Sequence, residues 1–202
     1  MAWQTIRSHD IEVSWKDFVW FAQCIPKHAF LVWLIMRKKL MTQDKMLVWN
    51  QVRRKSMNMM CCLLCYKNID SHGHLFFECE YSAQVWCKVR SHADMENIPP
   101  IWNNILSDML QRRSSKLIAN VVAKLCVAAA AYYIWRERNK RLFHNHARPP
   151  DMLAQEIIAT VRYKLMGMKF KTSAQVTRML DKWNIHGDAV FSSVDSTCPM
   201  NR

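Results

Sequence analysis

The sequence predicts a mainly α-helical protein, and three observations carry that prediction. Only three glycines and six prolines occur in 202 residues, too few turn formers for a sheet-rich domain. Half of the residues are apolar, enough to build a core and to exclude wholesale disorder. Several segments space their apolar residues at helical intervals and begin with residues suited to helix starts.

Taken in order, the opening is aromatic-rich, with Trp3, Trp15, Phe18, Trp20 and Phe21, and "IEVSW" alternates like a short strand. Pro26 suits the first turn of a helix, and "KHAFLVWLIMRKK" places Phe30, Trp33 and Leu34 on one face. Thr42 can cap a second helix, "QDKMLVWNQVRRK", with Asp44 near its positive end. Beyond a cysteine-rich stretch, Ser82 caps a short helix carrying Val85, Trp86 and Val89. Pro99 and Pro100 mark the best domain boundary. Ile105, Met109 and Leu110 follow on a short helix, and a long helix runs from about Ser115 to Phe143. After "RPPD", residues Leu153, Ile157, Ile158, Val161 and Leu165 keep helical register, and Ser173 caps a last helix with Val176, Met179, Leu180 and Trp183. The expected division is an N-terminal segment 1–21, a compact domain 22–98, a helical extension 99–184 and a disordered tail 185–202. No internal repeat is found.

The net charge of +13 favours a polyanionic partner, nucleic acid or an anionic surface. No apolar stretch opens the chain, so an intracellular protein of nucleus or cytoplasm is expected rather than a secreted one. Leu117 to Trp135 is long enough to span a bilayer, but Lys124 and Asn120 lie within it, and a buried helix without a membrane is expected.

The stretch "CCLLCYKNIDSHGHLFFEC" reads C-x2-C-x8-H-x4-C with Cys62, Cys65, His74 and Cys79. Two thiolates two residues apart grip one ion from a tight turn, and a histidine and a third thiolate close a tetrahedral Cys3His zinc set. All four positions are filled by protein, which favours a structural ion over a catalytic one. From the residues alone the register stays open: Cys61 can replace Cys62, His72 can replace His74, and Cys87 is a spare. The competing readings are a disulfide, a Cu(I) site drawing on Met57, Met59 and Met60, and inert buried cysteines.

Read together, "IPKHAFLVWLIMRKKLMTQDKMLVWN", "CCLLC" and "DSHGHLFFECEYSAQVW" resemble the zinc-binding domain that follows the reverse transcriptase in plant LINE-type (non-LTR) retroelements. The matching positions are Pro26, Lys27, Phe30, Trp33, Leu40, Thr42, Asp44, Cys62, Cys65, Ser71, His74, Leu75, Phe76, Cys79, Val85 and Trp86. Met46 replaces a usual leucine, and Met41 a common proline. The resemblance implies a small helical domain with a Cys3His knuckle, one structural Zn2+, and the register of Cys62 and His74. No polymerase, endonuclease or RNase H catalytic residues are found in the chain, so no enzymatic activity is expected.

Basic residues cluster at Arg37, Lys38, Lys39 and Lys45, at Arg53, Arg54 and Lys55, and at Arg136, Arg138, Lys140 and Arg141. The first two clusters, next to the knuckle, are the candidate surface for non-specific contact with RNA or DNA phosphates. The last is at least as well explained as a solvated helix end, where cations complement the dipole. The expected function is a non-catalytic zinc-binding module that binds nucleic acid. The alternatives are a helical protein-interaction module with a scaffold zinc site, or a retroelement remnant without function. Cys24 with His28, and His144 with His146, lack the partners a catalytic site needs.

Overall fold

In the computed structural model, described for residues 13–49, 61–112, 115 and 117–186, the chain is helical and no strand occurs among those residues. The α-helices among those residues are α1 (Lys16–Val19), α2 (Pro26–Met36), α3 (Gln43–Trp49), α4 (Glu80–Arg90), α5 (Trp102–Gln111), α6 (Ile118–His144), α7 (Pro150–Met166) and α8 (Ala174–Lys182). A π-helical turn, His74–Glu78, precedes α4. The strand expected at "IEVSW" is not formed over its described part: residues 13–15 turn directly into α1. The Lys16 and Val19 amides donate to the Val13 and Trp15 carbonyls, so local helical bonds replace the ladder a strand would need.

Local start signals behave as helix physics requires. Pro26 opens α2, where a missing N–H leaves nothing unpaired. The Ser173 hydroxyl accepts the Val176 amide at 3.2 Å and caps α8. Thr42 precedes α3 and accepts the Lys45 and Met46 amides through its carbonyl. Ser82 departs from expectation. Helix α4 begins three residues earlier, Cys79 is its N-cap, and the Ser82 hydroxyl donates to the Leu75 carbonyl at 2.6 Å.

The organising element is α6. From Val122 to Ala131 every residue is buried, including Ala128, Ala129, Ala130 and Ala131. A helix apolar all round needs neighbours all round, and α2, α4, α7 and α8 pack on it. Small alanine side chains let those helices approach. α6 is long and apolar enough to cross a membrane by length and composition, and 67% of that window is buried within the fold.

The face of α2 turned to this core is not the one its spacing suggested. His28, Ala29, Leu31, Val32 and Ile35 are buried, whereas Phe30 is 52% exposed and stacks on half-buried Trp33. The helix is apolar nearly all round, so its partners, not its periodicity, choose the buried face. Cys24 lies before α2, not on it, and His28 packs its ring 4.4 Å from that of Tyr132; burial lowers the His28 pKa to about 4.

One core runs through both sides of the Pro99–Pro100 break. Phe77 meets Trp86 edge-on at 5.2 Å and stacks on Trp102 of α5 at 5.7 Å. Trp86 is fully buried. Trp86→Ala is therefore expected to cost about 3–5 kcal/mol through lost burial and a residual cavity. Urea unfolding reads this as a lower midpoint, and a loss under about 1 kcal/mol would contradict this packing.

Candidate metal centre

The turn that starts the site is built by backbone bonds. The Cys62 amide donates to the Asn68 carbonyl, and the Tyr66 amide to the Cys62 carbonyl at 2.7 Å. Tyr66 reverses the chain in the left-handed region, at φ 58°. This closes a loop that points Cys62 and Cys65 the same way. On the other side, Ser71 accepts the His74 amide through its hydroxyl at 3.3 Å and starts the π turn.

The π turn accounts for the H-x4-C spacing. In an α-helix a residue five positions on is rotated about 140° away from the first. Here the Cys79 amide bonds the His74 carbonyl at 2.6 Å, an i to i+5 closure that brings position 79 back over position 74. Leu75, Phe76 and Phe77, between the two, are fully buried and plug the turn into the core.

The structure thereby brings Cys62, Cys65, His74 and Cys79 together, with one donor atom from each and all four within 4.8 Å of one another. Cys62 Sγ and Cys79 Sγ are 3.8 Å apart, and Cys65 Sγ is 3.3 Å from His74 Nε2. Sulfurs bound at about 2.3 Å in a tetrahedron lie about 3.8 Å apart, and a sulfur and an imidazole nitrogen about 3.5 Å. The donor set and spacing fit a zinc ion. Cys61, His72 and Cys87 are not part of the group. The His72 ring turns instead towards Thr42, with Nδ1 3.4 Å from the hydroxyl, and Cys87 is exposed on α4.

The electrostatics prepare one thiolate. A hydrogen bond from Cys62 lowers the Cys79 pKa to about 5, against the effect of burial, and the Ser82 and Tyr81 amides at the start of α4 add to it. Cys62 is pushed up by the same bond, by burial and by the charge on Cys79. A dication between the two sulfurs would favour the thiolate form of both.

The residues that hold this centre in place lie mostly in the extension. Arg141 of α6 donates to the Leu63 and Leu64 carbonyls, both at 3.1 Å, inside the C-x2-C turn. Its guanidinium lies 4.4 Å from the Tyr81 ring centroid. Arg138 donates through Nε and Nη2 to one Asp70 oxygen at 3.0 and 2.6 Å, just ahead of Ser71. Fully buried Glu137 binds Arg141 at 3.0 Å and Arg148 at 2.8 Å. Burial alone would raise the Glu137 pKa; hydrogen bonds from the Arg148 amide and guanidinium and from Arg141 bring it below the usual value.

Arg136, Arg138 and Arg141 therefore do not form a solvated helix end: Arg138 and Arg141 are internal braces, and Arg136 pairs with Glu156 at 3.0 Å. The acceptors that tie Arg138 and Arg141 to the knuckle, Asp70 and the Leu63 and Leu64 carbonyls, are 68 to 78 residues away, and the partner of Arg136 is on α7. Of the candidate phosphate contacts, Arg37, Lys38 and Lys39 are exposed at the end of α2, and Lys45 donates to the Lys38 carbonyl. Lys38 takes φ 50°, and the Lys38 and Lys39 amides bond back to Ile35 and Leu34 in a left-handed helix stop. Arg53, Arg54 and Lys55 lie outside the described residues.

Comparison with curated proteins and with solved structures returns no match. Residues 1–86, the part of the chain that contains all four members of the cluster, match the family model described as zinc-binding in reverse transcriptase.

Proposed function

We propose that the chain is a non-catalytic module derived from a LINE-type plant retroelement, in which one structural zinc ion held by Cys62, Cys65, His74 and Cys79 organises a basic surface that binds RNA or DNA non-specifically. The observation that carries this reading is the four-donor cluster within 4.8 Å, inside the region matched by the reverse-transcriptase zinc-binding model. All four donors come from the protein, which suits an ion with a folding role. The charge of +13 and the exposed Arg37, Lys38 and Lys39 beside the knuckle segment support the polyanionic partner.

Two measurements test it. Elemental analysis under reducing conditions should find one zinc per chain, lost in the Cys62→Ser, Cys65→Ser protein. Fluorescence anisotropy with labelled RNA and DNA should show affinity falling steeply with salt, the log–log slope dropping by about one for each phosphate contact removed. Arg37→Gln, Lys38→Gln and Lys39→Gln together should flatten that slope by up to about three. An unchanged slope would remove these residues from the interface.

A protein-interaction role is the second reading. It is favoured by Met152, Tyr163 and Met166, which share one face of α7 and are 55%, 73% and 50% exposed. An apolar interface of that kind would respond little to salt.

A further inference from the structure

The C-terminal half of α6 has two faces of opposite kinds. One carries Glu137, Arg138 and Arg141, which brace the knuckle. The other carries Tyr132, Trp135, Asn139, Lys140, Phe143 and His144, which with Arg136 line a groove of about 330 Å³. Their spacing of three, four, seven and eleven keeps these residues on one side of the helix.

This face is aromatic and basic at once. Phe143 is 72% exposed, a large cost for an apolar ring facing only water. Lys140 makes no ion pair among the described residues. The other rings are held in place from beneath. The Arg138 guanidinium lies 5.0 Å from the Trp135 ring centroid, and Tyr132 packs on His28 at 4.4 Å with Lys27 5.3 Å away. Rings fixed in this way lose little freedom when a flat ligand settles on them.

We propose that this face of α6 is a stacking platform for the unpaired bases of a single-stranded nucleic acid, with Lys140 as a phosphate contact. Aromatic rings offer π-faces to any base, and an interleaved cation tracks the backbone. A duplex keeps its bases stacked internally and gains only the charge contact. The inference rests on nucleic acid being the partner, but not on the lysines at the end of α2.

The test is anisotropy of the full zinc-loaded chain with a labelled twelve-nucleotide single-stranded RNA and with the corresponding duplex, at one fixed salt concentration. Phe143→Ala should weaken single-strand binding by about five- to a hundred-fold and leave duplex binding within about two-fold. Phe143→Trp should restore it, and Lys140→Gln should weaken both forms modestly. Unchanged single-strand binding in Phe143→Ala would overturn the platform while leaving the basic-surface reading intact. An equal loss on both nucleic acids would also overturn it, because stacking would then play no selective part. A wild-type chain that binds neither would overturn both readings and leave the exposed ring to a protein partner.

Discussion

Replacing Cys62 or Cys79 by serine is expected to release the metal and unfold the knuckle together with the helices that lean on it. Both sulfurs are fully buried, 3.8 Å apart. A second thiolate so close to the first is strongly disfavoured in an apolar interior unless a cation lies between them. Zinc contributes on the order of 10–16 kcal/mol of apparent folding free energy in finger peptides, as much as the whole stability of an ordinary domain at about 5–15 kcal/mol. Here the loss should spread, because the π turn carries Phe76 and Phe77 into the shared core. Circular dichroism melts with and without chelator provide the measurement. The variants should melt like chelated wild type and show no further response to chelator, while Cys87→Ser, at an exposed position, should behave as wild type. Wild-type melting in both buried-cysteine variants, insensitive to chelator, would remove the metal from the folding of this chain.

The second large effect is expected at the Asp70–Arg138 pair. Arg138 is 2% and Asp70 0% exposed along their side chains, and two nitrogens converge on one carboxylate oxygen. Arg138→Met should cost about 3–5 kcal/mol, because it leaves the Asp70 charge buried without a partner. Adding Asp70→Leu should recover much of that loss, since a buried ion pair replaced by apolar groups of similar volume is often neutral. A double-mutant cycle read by urea unfolding separates the pair from its surroundings. Metal affinity should fall along with stability in Arg138→Met, because Asp70 immediately precedes Ser71, which starts the turn bearing His74. A single-variant loss under about 1 kcal/mol would mean that this pair does not brace the centre.

These two predictions concern different kinds of information in the chain. Pro26 marks a helix start through its fixed backbone angle and missing N–H, and Ser173 through a bond to the amide three positions on, so both are legible without knowing the fold. The two halves of the C-x2-C-x8-H-x4-C pattern are legible for the same reason, each being made by a local turn, but the choice of Cys62 over Cys61 and of His74 over His72 stays open until the two turns meet. Helix α4 starts three residues before the position expected from Ser82, because that hydroxyl, a good cap by type, donates to the Leu75 carbonyl and Cys79 takes the cap position instead.

By itself, then, the sequence determined the helical class, the turns that carry Cys62, Cys65, His74 and Cys79, and the excess of positive charge, all set by composition or by neighbours within a few positions. Tertiary structure alone decided which face of α2 is buried, since a helix apolar nearly all round carries no preference until α6 packs against it. It also decided that Arg138 and Arg141 serve the knuckle while Lys140 faces outward. A run of basic residues on one helix looks uniform in sequence. Only their acceptors, Asp70 and the Leu63 and Leu64 carbonyls, brought near from 68 to 78 residues away, separate an internal brace from a surface charge.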